Sequence, residues 1–344
     1  MTDIDEQRTR LEAYLNERCA SPGTLKVTDY EPITGGYSRS MARVWVEDAD
    51  GRRGFITRAD PPPHQAIIDT DRGKEWQLLS SLAAAGTIPM PAPLWFDANG
   101  DDLGTPTIIM EMVEGESLIA RARSVEASEL PALAMGMCEV AATIHAYDTS
   151  LLPEHLDEPA SWDEYIDGRI QEWVDAEHDH VDTDPFMRLV AAWLRANKPP
   201  PAPIGLVHGD FQIANVLIDK EGTFLAVDWE LAHIGDPRED LGWMAFASVT
   251  QPPDLLTDCA EDFYQRYREL SGLGDDVVNP ATVAYFTVLA AATVFIPVIN
   301  EMAAVARGEA TGMTVIYMSN AVAGMHNVLF NAMAEHDRLT GGAK

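Results

Sequence analysis

Ile4, Leu11, Leu15 and Cys19 recur at helical spacing, with Arg8 on the same stripe, and predict an opening helix that Ser21-Pro22-Gly23 ends. Three short strand-like runs follow at residues 27–30, 41–46 and 53–58. The segment 33–40 links the first two, and Asp48-Ala49-Asp50-Gly51 reads as a hairpin turn between the next two. Beyond the Pro61-Pro62-Pro63 loop, residues 71–85 carry Trp76, Leu79 and Leu82 at helical spacing. Pro89, Pro91 and Pro93 break that pattern, strands are expected at 94–96 and 107–113, and Glu114-Gly115 interrupts.

From Ser117 onward the pattern is helical except for a β interlude at residues 205–229. The shift predicts two domains, a β-rich one at 1–113 and a mainly helical one at 114–344, with no internal repeat. Residues 277–300 carry no charge and are rich in alanine. Asp275, Asp276 and Glu301 stand at the borders where Lys or Arg anchors would flank a membrane span, so a central buried helix is expected.

The 344 residues include 55 Asp and Glu against 24 Lys and Arg, a formal charge of −31. That balance argues against a nucleic-acid partner, which needs a basic face, and against an anionic membrane surface. Cys19, Cys138 and Cys259 are odd in number and widely spaced, which suits a reducing compartment rather than a disulfide framework. The acidic, helical N-terminus lacks the basic and apolar regions of a secretory signal, so a cytoplasmic location is expected.

Candidate chemistry concentrates in the β interlude. Residues 215–219 and 223–228 flank Lys220-Glu221-Gly222 and read as a hairpin that brings Asn215 and Asp228 to the same end. Asp210 lies in the loop feeding the first strand. One carboxylate able to act as a base would then adjoin an Asp/Asn pair whose hard oxygens suit Mg²⁺.

The spacing His208-Gly209-Asp210 with Asn215 five residues on, and Asp228-Trp229-Glu230 after the hairpin, resembles the catalytic loop and metal motif of protein-kinase-like folds. The fuller wording, HGDFQIANVLID then VDWELAHIGDPREDLGW, resembles the aminoglycoside phosphotransferase family. It is most similar to the broad branch that includes kinase domains fused to some acyl-CoA dehydrogenases. The resemblance implies a two-lobed, protein-kinase-like α+β fold. It also implies Mg²⁺-dependent transfer of the γ-phosphoryl group of ATP, or GTP, to a hydroxyl of a small molecule.

By the same resemblance Asp210 is the catalytic base, and Asn215 and Asp228 hold Mg²⁺. His208 is read as bracing the loop and Asp240 as the acid anchoring it from the next helix. Gly35 and Gly36 would form the nucleotide loop, and Arg58 would stand where protein kinases carry lysine, with Glu75 as its partner. The main chain of Glu111 and Val113 would meet the adenine edge, with Met110 behind it. Trp162, Tyr165, Ile166 and Trp173, with Arg169, form a helical stripe that reads as core rather than an acceptor wall. Acidic clusters at Glu261 and Asp262, or Glu172, Asp175 and Glu177, carry little weight in so acidic a chain. Three matters stay open: a non-catalytic nucleotide-binding member, a true antibiotic-modifying kinase, and the oligomeric state.

Overall fold

A computed structural model of the protein describes residues 3–18, 24–33, 40–60, 71–179, 185–250, 252–308 and 313–341. The chain divides into two compact units, Met1–Gly115 and Glu116–Lys344.

The first unit opens with helix α1 (Asp3–Arg18), which packs on strand β1 (Lys26–Ile33). Strands β2 (Ser40–Asp48) and β3 (Gly51–Ala59), helix α2 (Arg72–Ala85), and strands β4 (Pro93–Asp97) and β5 (Thr107–Glu111) follow. The strands form one antiparallel sheet in the order β1-β2-β3-β5-β4. Alternation along β2 sends Ala42, Val44 and Val46 into a core with Leu11, Tyr14, Leu15, Phe55 and Ile109. The strands outrun the apolar runs that signal them, because backbone pairing continues into charged residues such as Glu47 opposite Arg52. Pro32 lies in β1 at the sheet edge, where a missing N–H is tolerated. Strand β5 ends at Glu111, two residues short of the expected 113, where its pairing with β3 stops at Phe55.

The α2 ends follow local chemistry. The Asp71 side chain accepts the N–H groups of Gly73 and Lys74 at the start. Gly86, left-handed at φ 64°, donates its N–H to the Leu82 carbonyl at the end.

Strand β6 (Gly115–Ser117) begins at the last residue of the first unit, and the second continues with helices α3 (Leu118–Ser124), α4 (Leu130–His145), α5 (Trp162–Asp179) and α6 (Pro185–Ala196). Strands β7 (Gly205–Val207), β8 (Val216–Asp219), β9 (Phe224–Ala226) and β10 (His233–Gly235) come next. Helices α7 (Arg238–Thr250), α8 (Ala260–Ser271), α9 (Pro280–Ala306) and α10 (Met313–Thr340) complete it. The strands make two small sheets, β6-β8-β9 and β10-β7. Strand β10 lies beyond the expected interlude; three residues pairing with β7 leave too short a pattern to read in advance.

The unit's core gathers Ile166, Trp173, Val190, Leu194, Phe286 and Leu329 from α5, α6, α9 and α10. Trp162, Tyr165, Ile166 and Trp173 are all buried, so the α5 stripe is core. Helix α9 is the one helix among the described residues long and apolar enough to cross a membrane, and 78% of that window is buried inside the fold. Its buried Thr287 hydroxyl donates to the Val283 carbonyl of its own helix, which removes the cost of burying it.

Candidate active site

Strand β7 delivers the chain into His208-Gly209-Asp210. Gly209 has φ 81°, and a Cβ there would stand 2.2 Å from the Leu231 carbonyl oxygen, so glycine alone lets the loop close against the 231–233 turn. The loop is held from below by Asp240 of α7, which is fully buried. The His208 N–H donates to its Oδ2 at 2.8 Å and the Gly209 N–H to its Oδ1 at 2.9 Å. This is the bracing acid suggested by the sequence.

His208 is also fully buried, and burial pushes its pKa down. Its Nε2 meets the Val227 carbonyl at 3.1 Å, and its Nδ1 accepts the Asp210 N–H at 3.3 Å. Those two bonds assign the neutral Nε2–H tautomer. His208 therefore ties the Asp210 loop to the end of β9 and has no free nitrogen for nucleophilic chemistry.

Asp210 points at the β8–β9 hairpin. The hairpin register pairs Val216 with Ala226 and Ile218 with Phe224, and the Val227 N–H donates to the Asn215 carbonyl at 3.0 Å. Asn215 therefore faces Val227, one residue short of Asp228, and both functional side chains lie at that end. The Asn215 Nδ2 donates to Asp210 Oδ2 at 2.6 Å and to the Asp210 carbonyl at 2.9 Å. Gln212 donates to Asp210 Oδ1, and Trp243 adds a side-chain hydrogen bond.

Burial, with the Asp228 charge second, raises the Asp210 pKa to about 7 despite those donors. Asp228 itself is the one non-glycine residue with positive φ among those described, at 70°. Left-handed backbone is tolerated by aspartate better than by most residues, and such positions cluster at functional sites.

Among the described residues no group of three or more His, Cys, Asp and Glu is arranged to hold a metal. The donors at the hairpin end are instead hard oxygens. With its nitrogen committed to Asp210, Asn215 can offer its side-chain carbonyl, and Asp228 offers a carboxylate whose charge already strains Asp210. That set fits Mg²⁺, which keeps water and borrows phosphate oxygens rather than demanding an all-protein cage.

In the first unit, Arg58 on β3 and Glu75 on α2 meet: Arg58 Nη2 donates to Glu75 Oε1 at 2.9 Å, with both side chains buried. Arg72 Nη1 bonds the other Glu75 oxygen, and Arg72 Nε reaches Asp60 Oδ1 at 2.8 Å. Glu75 is thus shared between two guanidiniums. Arg72, three residues before Glu75 on the same helix face, could have been found from that spacing alone. The Glu111 N–H donates to the Ala92 carbonyl at 2.9 Å, and Met110 is buried. Val113 lies just past the end of β5. Gly35 and Gly36 fall outside the described residues.

A second polar cluster starts one residue before Asp240, where Glu239 of α7 meets Arg169 and Tyr165 of α5 and His233 of β10. Burial works to raise the Glu239 pKa, but Arg169, His233 and Tyr165 outweigh it and hold it at about 2. The Arg169 Nη2 also donates to Thr293 at 2.9 Å, fastening α5 to α9.

The chain is 30% identical over 236 residues to acyl-CoA dehydrogenase family member 10 of Mus musculus, covering 65% of this chain and 21% of that protein. It spans less than a third of the length of the curated relatives it matches. A crystal structure described as a candidate aminoglycoside phosphotransferase from Ralstonia eutropha JMP134 superposes with a TM-score of 0.71 at 19% identity, covering 95% of this chain and 98% of that one. A ternary complex of aminoglycoside phosphotransferase APH(4)-Ia with ADP and hygromycin B gives a TM-score of 0.59 at 19% identity, covering 95% and 97%. The kinase-like α+β fold is shared with both. The sequence model of the phosphotransferase enzyme family, APH, matches residues 29–286, and the chain belongs to that family.

Proposed function

We propose that this chain is a small-molecule kinase that moves the γ-phosphoryl group of ATP, or GTP, to an acceptor hydroxyl with Mg²⁺. The observation that carries the reading is the hydrogen-bonded Asp210–Asn215 pair at the hairpin end with Asp228 acting on it. It is supported by membership of the phosphotransferase family and by the ADP and hygromycin B held in a structural neighbour.

In this reading Asp210 accepts a hydrogen bond from the attacking hydroxyl and takes its proton as the oxygen bonds the γ-phosphorus, while the bond from that phosphorus to the β–γ bridging oxygen breaks and the nucleoside diphosphate leaves. Its carboxylate is aimed by Asn215 and Gln212, so little reorientation remains when substrate arrives. Asn215 and Asp228 would hold Mg²⁺, which supplies charge neutralisation to the phosphates. Arg58, with Glu75 fixing its fork, would add positive charge on the nucleotide side, where Gly35, Gly36 and the main chain of Glu111 and Val113 would contribute backbone groups.

The test is thermal unfolding with and without Mg·ATP or Mg·GTP, together with nucleoside diphosphate release over a panel of hydroxyl compounds. Nucleotide at about 100 times its Kd should add roughly 2.7 kcal/mol to the wild type. Asp228→Asn should lose the metal-dependent part of the shift, and Asp210→Asn should keep the shift but lose transfer. Unaltered turnover in Asp210→Asn would remove it as the base.

A further inference from the structure

The Asp240 carboxylate has a third donor that the kinase chemistry does not use. His145, at the end of α4, places Nε2 at 2.9 Å from Asp240 Oδ2, and its Nδ1 lies 2.7 Å from the hydroxyl of Tyr267 on α8. The His145 side chain is 3% exposed, and Asp240 and Tyr267 are fully buried. One chain of hydrogen bonds thus runs from α8 through α4 to the Asp240 carboxylate of α7, whose other bonds go to the two amides that open the Asp210 loop.

We propose that Tyr267 and His145 are positioning residues for Asp210, acting as a tautomer lock: the Tyr267 hydroxyl donates to His145 Nδ1, so that Nε2 carries the proton and faces Asp240. The direction of donation follows from chemistry. Burial, with the charges of Asp236 and Asp240, keeps the Tyr267 phenol protonated, so it is available as a donor. A donor at Nδ1 makes that nitrogen the lone-pair site and leaves the ring proton on Nε2. The opposite tautomer would point a lone pair at a carboxylate, a repulsive contact in a dry site.

Asp240 has two oxygens and takes three N–H donors, two from the loop and one from His145. The histidine bond fixes the rotation of the carboxylate about its Cβ–Cγ axis, and that rotation sets where the His208 and Gly209 amides must lie. Gly209 sits at φ 81° against Leu231, and glycine has easy access to other backbone states, so the direction of its amide is set by what that amide bonds. The lock therefore reaches Asp210 through two peptide units. It rests on the assignment of Asp210 as the base only for its catalytic consequence; the hydrogen-bond consequence stands by itself.

The experiment compares wild type with Tyr267→Phe, His145→Ala and His145→Gln by ¹⁵N-histidine NMR, amide hydrogen exchange and nucleotide turnover. In the wild type His145 is expected as the Nε2–H tautomer. In Tyr267→Phe that tautomer loses its exclusive population, and the His208 and Gly209 amides exchange roughly tenfold faster, the scale of one net hydrogen bond. Amides of the α9 core keep their wild-type protection. For turnover with any accepted hydroxyl, or water, kcat falls about tenfold or more in Tyr267→Phe and His145→Ala while the nucleotide KM holds. His145→Gln, which can present an amide N–H toward Asp240, recovers most of kcat.

An unshifted tautomer in Tyr267→Phe, or unchanged Gly209 exchange, overturns the lock. A uniform rise in exchange across α4, α7 and α8 overturns it too, because that is loss of packing. Absence of turnover in the wild type with either nucleotide would fail the kinase reading, while the spectroscopic and exchange results still decide the lock.

Discussion

Removing the charge of Asp210 should stabilise the metal-free chain, and the gain should grow with pH. Folding raises this carboxyl from 3.8 to about 7, through burial first and the Asp228 charge second. The folded state therefore binds the proton more tightly than the unfolded one. By linkage, the stability contributed by this group is fully present below about pH 4 and is lost as pH rises through about 7. At 1.36 kcal/mol per unit the full loss is about 4 kcal/mol. Asp210 keeps partial contact with solvent, so screening reduces the figure to about 2 kcal/mol.

Asparagine has no charge to lose, yet it has one acceptor oxygen where aspartate offers two. Gln212 and Asn215 each donate to a separate oxygen of Asp210, so one of those bonds goes, at about 1 kcal/mol. The two stability curves should then cross. Asp210→Asn is less stable by about 1 kcal/mol near pH 4 and more stable by about 1 kcal/mol near pH 8, by the difference of these two figures. Urea unfolding of both proteins in EDTA at pH 4.5, 6 and 8 measures this, and titrating groups that do not interact with Asp210 cancel in the difference; Asp228, which does interact with it, is part of the measured effect. Parallel curves, or a variant that loses ground as pH rises, would refute the reasoning.

Two glycines of the second unit make opposite predictions. Gly209→Ala combines a positive φ with a Cβ placed 2.2 Å from the Leu231 carbonyl oxygen, so it should cost about 3 kcal/mol in urea unfolding; a loss under about 1 kcal/mol would show that the loop does not need glycine. Gly168 lies inside α5 with nothing within 4 Å of an added Cβ, so Gly168→Ala should gain about 1 kcal/mol from helix propensity alone, and a destabilised variant would contradict the open space seen there.

The β8–β9 hairpin and the loop before it were legible in the sequence because their signals are local. A turn triplet between two apolar runs fixes the hairpin, and side chains of distinct chemistry at Asp210, Asn215 and Asp228 mark it as the candidate site. The α2 helix was legible for the same reason, since Asp71 and Gly86 terminate it within a few residues of its own pattern. What escaped were contacts between distant parts of the chain. His145 and Tyr267 are separated by 122 residues, and neither carries any pattern that marks it as a partner of the other. The sharing of Glu75 between two guanidiniums was only half legible: the spacing of 72 and 75 marks a pair on one helix face, but not that the pair is buried against Arg58 of a strand. The exact facing of Asn215 also escaped: the turn permits neighbouring registers, and the backbone chooses the one that opposes Asn215 to Val227.

The costs of this fold gather within a few residues at one end of one hairpin. Asp210 holds a proton that water would remove, Asp228 occupies a left-handed backbone state without being glycine, and Gly209 occupies another against a carbonyl oxygen. The first two are unfavourable alone, glycine supplies the third without steric cost, and all three are held in place by their surroundings. Asp240 holds two amides of the loop, and His208 bridges it to Val227, the residue before Asp228. This bears on how Asp228 should be altered. Substituting alanine would remove the carboxylate and also place an unsuitable residue at φ 70°, so loss of nucleotide response could mean loss of fold. Asparagine tolerates the same left-handed state and removes only the charge. It also lifts the repulsion on Asp210, so Asp228→Asn should lower the Asp210 pKa and remain folded. A folded Asp228→Asn chain without a metal-dependent nucleotide shift then reports on chemistry, and one that keeps the full shift removes Asp228 from the metal site.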